Sequence, residues 1–112
     1  MRFAIAAEGN QVATHFGRCE YYEVADIADQ RVEKRYRLES PGHAPVGELP
    51  KLLHGEGVDC VVAGGMGPMA QQFFAQIGIQ TILGVSGLLE DVISKVAAGI
   101  LVDGDDECVH SS

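Results

Sequence analysis

The chain has 112 residues. That length allows one domain, since domains most often run to ~100–150 residues, and it excludes a two-domain enzyme with separate cofactor and substrate halves. Sixteen acidic residues against eight basic ones give a formal charge of -8, which argues against a nucleic-acid backbone or an anionic membrane as partner. Hydrophobic residues make up 46% and charged residues 21%, a globular balance that argues against general disorder.

Phe3 to Ala7 is a short apolar run ended by Glu8. It is too short for a signal h-region and predicts a buried first strand. No uninterrupted apolar stretch approaches the ~20 residues of a transmembrane helix. Residues 8–18 are polar and contain two glycines. The segment is long for a hairpin connection, and long loops often carry function. Cys19 to Ala25 is rich in Tyr and Val and predicts a second strand. Asp26 to Gln30 predicts a turn. Arg31 to Glu39 alternates, with Val32, Tyr36 and Leu38 expected on one face and Arg31, Glu33, Arg35, Arg37 and Glu39 on the other. That pattern suits an antiparallel edge strand. Half of the basic residues fall in 31–37, where charge guards a sheet edge against further pairing; a nucleic-acid patch is the alternative.

The second half switches to a β/α rhythm. Ser40 to Pro45 predicts a loop that includes His43. Val46, Leu49, Leu52 and Leu53 fall at helical spacing. Pro50 is tolerated only in a first turn, so this helix starts late or is kinked. Gly55 and Gly57 end it. Val58 to Ala63 is almost continuously apolar, as expected of a strand covered on both faces. Gly64-Gly65-Met66-Gly67 then turns into a helix with Pro68 near its first position. Met69, Phe73 and Ile77 give that helix its apolar stripe, and Gly78 ends it. Gln80 to Val85 predicts another buried strand. Ser86-Gly87 opens a last helix, with Glu90 and Asp91 in its first turn, Lys95 near its end and Gly99 as its cap.

The order is β-β-β-α-β-α-β-α. Short connections and right-handed crossovers predict an α/β fold with a five-stranded mixed sheet, order 3-2-1-4-5, and helices on both faces. Residues 1–102 form the domain and 103–112 an acidic tail carrying Cys108 and His110. In such a sheet ligands collect beyond the carboxyl ends of the parallel strands, near the switch point. The loops there are 8–18, 64–67 and 84–87.

Three features carry candidate chemistry. Gly65-Met66-Gly67-Pro68-Met69-Ala70 formally fits a dinucleotide fingerprint, but no acid stands at the end of the following strand, as that site requires. What survives is a glycine turn at Gly64, Gly65, Met66 and Gly67 whose backbone N–H groups could hold an anion or cluster sulfides; a tight turn without a ligand is the alternative. His15-Phe16-Gly17-Arg18-Cys19 gathers an imidazole, a guanidinium and a thiol. The imidazole and thiol suit a soft metal and the guanidinium an anion; the alternative is a loop histidine and a strand-starting cysteine. Cys108-Val109-His110 is a second thiol–imidazole pair without a C-x-x-C partner, so a closed structural zinc site is not supported. Met66 is a candidate thioether ligand or a packing residue. Cys60 reads as core, and His54 as a surface residue near a helix end. An odd cysteine count reads as free thiols in a reducing compartment, hence a cytoplasmic protein. The first strand lacks the metal-binding acid of nucleases with this strand order. No Ser-His-Asp elbow is present, and Cys19 is not at a predicted helix start. Catalysis is not expected.

The apolar first strand, His15-Phe16-Gly17-Arg18, the run Gly57 to Pro68, Gly78-Ile79 and Ser86-Gly87 together resemble the dinitrogenase iron–molybdenum cofactor biosynthesis family. That family comprises the small domain of NifX, NafY and the C-terminal part of NifB, and the match covers almost the whole chain. The resemblance implies a ribonuclease-H-like three-layer fold without nuclease activity. It also implies non-catalytic binding or carrying of a metal–sulfur cluster, of iron–molybdenum, iron–sulfur or molybdenum–copper sulfide type. By it His15 is the foremost ligand and Cys19 follows, with Cys108 and His110 as tail ligands. The partners it implies are cluster donor and acceptor proteins, with the chain a monomer or weak homo-oligomer. The radical-SAM half of NifB is absent, so cluster synthesis is not implied. Two other readings stay open: an acidic interaction or regulatory domain, and a small anion or nucleotide binder at Gly64–Gly67.

Overall fold

The computed structural model describes residues 1–40 and 48–101. His43, Val46 and the tail with Cys108 and His110 lie outside the described residues. The elements are β1 (Arg2–Glu8), β2 (Gln11–Val12), a single 3-10 turn at Phe16–Arg18, β3 (Tyr21–Ala28), β4 (Arg31–Glu39), α1 (Glu48–Gly55), β5 (Cys60–Val62), α2 (Pro68–Gln76), β6 (Gln80–Ile82) and α3 (Leu89–Ala98). The sheet runs β4-β3-β1-β5-β6, and β2 pairs with β1 alongside this path. The path repeats the expected order. The strand count is a correction, because six strands are present where five were expected. The sixth is β2, two residues that fold back antiparallel on the end of β1, with Ala7 opposite Val12 and Glu8 opposite Gln11. Gly9 at φ 61 makes that tight reversal possible. A two-residue strand has no alternation to read, so it was hidden within the polar 8–18 segment.

β1 is the pivot of the sheet. It pairs antiparallel with β3 and parallel with β5, and β5 pairs parallel with β6. Its apolar run is explained by cover on both sides. Ala4 and Ala6 face one core with Val24, Val61, Leu49, Leu53 and Phe74, under α1 and α2. Ile5 and Ala7 face a second core with Val62, Val85, Val92, Ile93 and Val96, under α3. Pro50 lies in the first turn of α1, so the helix starts late rather than kinking. Pro68 opens α2. α3 ends at Gly99 with φ 75, whose N–H bonds the Val96 carbonyl at 3.1 Å.

The edge strand β4 departs from its simple alternation. Between Asp26 and Ile27 the register shifts, so Lys34 faces Asp26 while Val32 faces Ile27, leaving Glu33 as the extra residue of a bulge. Val32 is thereby paired with Ile27, which packs on the α3 core, whereas Tyr36 and Leu38 pack on the α1–α2 core. Three bases of this strand, Lys34, Arg35 and Arg37, engage the molecule's own groups. Arg35 bonds Glu23 at 2.9 Å and reaches Glu90 of α3 at 2.8 Å. The Arg37 guanidinium lies 3.7 Å from the Tyr21 ring centroid, and the Lys34 ammonium 5.6 Å from that of Tyr36. No helix among the described residues is long and apolar enough to cross a membrane.

The β3–β4 reversal is made by Asp29 at φ 52 and Gln30 at φ 61. Two consecutive left-handed residues are what a two-residue hairpin turn requires, and Asp tolerates that conformation better than Gln. Replacing Gln30 by Gly should therefore raise unfolding free energy by roughly 0.5–1 kcal/mol in a urea titration; an unchanged or lower midpoint would show that the turn is not strained.

Candidate functional site

The site grows from the polar segment after β1. Val12 N–H bonds the Gly87 carbonyl at 3.0 Å and Ala13 N–H bonds the Ala6 carbonyl at 2.8 Å. These bonds fix where the chain leaves the sheet. Phe16 then turns inward. It is 3% exposed, with its ring 5.3 Å from Tyr22 and 5.3 Å edge-on from Phe74. Its carbonyl accepts the Tyr22 hydroxyl at 2.7 Å. Burying Phe16 in a single 3-10 turn leaves its neighbours His15, Gly17 and Arg18 exposed.

Opposite stands the β5–α2 turn. Phe16 N–H donates to the Gly65 carbonyl at 2.8 Å, and Gly64 N–H donates to the Ala13 carbonyl at 2.9 Å. Gln71 of α2 holds the Met66 carbonyl at 2.8 Å. Gly67 is the N-cap of α2, makes no side-chain cap bond and is followed by Pro68. The first N–H groups of a helix lack intrahelical acceptors and carry partial positive charge.

Between the two loops lies a cavity of about 670 Å³, lined by His15, Phe16, Gly17, Arg18, Gly65, Met66 and Gly67. It sits beyond the carboxyl ends of β1 and β5, where a switch-point site belongs. No carboxylate among the described residues lines it. Arg18 makes no ion pair among the described residues, whereas Arg2 and Arg35 both bind acids. In a chain of charge -8, the described lining thus carries one arginine and no acid.

The sequence-named residues therefore divide. His15, Arg18, Gly65, Met66 and Gly67 come together around the cavity. Met66 also packs against the α1–α2 core. Gly64 lies behind the lining, against the backbone of Thr14. Cys19 points away into the core beside Phe16 and Tyr22. Burial pushes its thiol above the usual cysteine range, although bonds with the Tyr22 hydroxyl and the Ala7 backbone oppose the shift. Burial likewise raises the Tyr22 hydroxyl. Cys60 is core, at 0% exposure. His54 is exposed in the last turn of α1. Cys108 and His110 lie outside the described residues. What sequence reasoning missed is the role of Phe16 and of the Ala13–Thr14 backbone. The signal for Phe16 was present, an aromatic residue set in an otherwise polar loop.

The family model for the dinitrogenase iron–molybdenum cofactor matches residues 1–99. The chain belongs to that family. It is 24% identical over 105 residues to the uncharacterised protein MJ0580 of Methanocaldococcus jannaschii, covering 90% of this chain and 89% of that one. Among solved structures it resembles PH0822, at 34% identity and a TM-score of 0.84, covering 94% of this chain and 98% of that chain. It also shares the fold of the apo form of the orange protein from Desulfovibrio gigas, at 24% identity and a TM-score of 0.71, covering 89% of each chain.

The Cys19 environment has a pH consequence. A thiol whose folded pKa lies above its unfolded value of about 9 supports stability below that pH, and the support is lost as pH rises further. At pH 8 iodoacetamide should leave Cys19 unmodified in the folded chain and alkylate it after denaturation, as read by peptide mass mapping. Rapid labelling of native Cys19 would contradict its burial.

Proposed function

We propose that this domain is a non-catalytic carrier that holds an anionic metal–sulfur cluster as cargo in the His15–Arg18 cavity. The observation that carries the reading is the lining itself. Among the described residues, an exposed imidazole, an arginine with no acid partner and an uncapped helix start surround one hollow, and no carboxylate lines it. Neutral imidazole is a metal ligand. Arg18 and the turn N–H groups suit the sulfides and negative charge of a cluster. His15 is the strongest ligand donor in the lining, so the cargo that fits is one arriving with its own sulfide ligands rather than a bare ion.

Family membership supports an iron–molybdenum or molybdenum/iron sulfide identity, with a molybdenum–copper sulfide as the variant. It also supports cluster donor and acceptor proteins as partners. The two-sided helical cover and the strand path are what a ribonuclease-H-like three-layer fold requires. The chain is read as cytoplasmic, where free thiols and sulfide clusters persist. Cys19 could ligate only after leaving the core and losing a proton, so His15 takes precedence. Cys108 and His110 are candidates to complete the coordination from the tail.

An anaerobic titration with tetrathiomolybdate, read by optical spectra, tests the reading. The full chain should bind, and His15→Ala should weaken binding by about tenfold or more, the worth of one strong directed contact. Arg18→Ala should weaken it less and flatten its dependence on salt. Equal binding by His15→Ala would remove the site assignment. Equal displacement by inorganic phosphate would favour the simple anion-binding reading.

A further inference from the structure

The carrier reading assigns roles to the cavity's lining but not to what holds its two loops in register. Gly64 is at the centre of that register. Its N–H donates to the Ala13 carbonyl at 2.9 Å, and its own carbonyl accepts the Gly84 N–H at 2.8 Å. One residue thus ties together the three loops that follow β2, β5 and β6. Its lack of a side chain is required by space. A Cβ at Gly64 would stand 2.8 Å from the Thr14 carbonyl oxygen and 3.0 Å from both the Ala13 oxygen and the Thr14 Cα. These are backbone atoms, which cannot swing aside as a flexible side chain can.

The adjoining residue continues the contact. A Cβ at Gly65 would lie 3.2 Å from the Thr14 oxygen and 3.9 Å from His15 Nδ1. Thr14 immediately precedes His15. Any displacement of the Thr14 backbone is therefore delivered to the imidazole and to the Phe16 N–H bond on Gly65.

We infer that Gly64 is a positioning residue: it contacts no cargo, and the close approach its missing side chain allows between the Ala13–Thr14 backbone and the β5–α2 turn sets His15 over the cavity. This inference deepens the carrier reading and rests on it for its binding consequence. The structural consequence is independent of any cargo.

The test compares Gly64→Ala with Gly78→Ala. Gly78 follows α2 at φ 78 and has nothing within 4 Å of a built Cβ. Alanine there strains the backbone without touching the site, so it controls for lost stability alone. Two readouts are taken well below either variant's melting temperature. The first is amide hydrogen exchange of His15 and Phe16 and the imidazole chemical shifts of His15 in the ligand-free chain. The second is tetrathiomolybdate affinity.

Gly64→Ala should raise exchange at Phe16, move the His15 signals and cut affinity at least about tenfold. Gly78→Ala should lower the melting temperature and leave both readouts as in the parent chain. Parent-like His15 signals and exchange in Gly64→Ala overturn the inference. So does a loss in Gly78→Ala that matches its loss of stability. If the parent chain binds no tetrathiomolybdate, the carrier reading fails, and the ligand-free arm still decides whether Gly64 positions His15.

Discussion

The burial of Phe16 is the interaction on which the site depends. Its ring closes the α1–α2 core against Tyr22 and Phe74, while its backbone bonds Gly65 and accepts the Tyr22 hydroxyl. A hydrophobic side chain driven inward from a polar loop thus fixes two polar neighbours outward. His15 and Arg18 need no ion pair of their own to be held, because Phe16, in the turn between them, is locked. This leaves both free to meet a ligand, which a histidine or arginine engaged in its own scaffold would not be.

The same arrangement resolves an electrostatic conflict. A chain of charge -8 is a poor host for an anion if its field is averaged. The charges are not averaged. Arg2 is committed to Asp26, and Arg35 to Glu23 and Glu90. Arg37 and Lys34 lie over aromatic rings on the far strand. Among the described residues Arg18 is the one arginine or lysine at the cavity, beside a helix start with no side-chain cap bond. Screening over ~8–10 Å at ordinary salt then makes the local composition matter more than the total.

Much of the fold was legible because its signals were periodic or steric. The apolar runs at β1 and β5 announced strands covered on both sides, and Pro50, Pro68 and Gly99 marked helix ends with clear physical reasons. β2 and the β4 bulge were not legible. Two residues cannot show a period, and a one-residue insertion flips side chains without changing composition. At the site, the two loops could be named from residue type alone, since His15, Arg18 and the glycine turn are chemically conspicuous. Their facing one another depends on backbone bonds from Ala13 and Phe16 that any residue could make. Cys19 shows the converse. Its thiol suggested a ligand by chemistry, but strand β3 places the chain after it so that the thiol joins Tyr22 in the core.

The proposed cargo is a metal–sulfur cluster held through His15. The most direct measurement is anaerobic isolation of the full chain from cells supplied with molybdate, iron and copper, with metal and acid-labile sulfide quantified on the same sample. Metal and sulfide should appear together in the parent chain and be lost jointly in His15→Ala. Metal without sulfide, or undiminished cluster in His15→Ala, would contradict it.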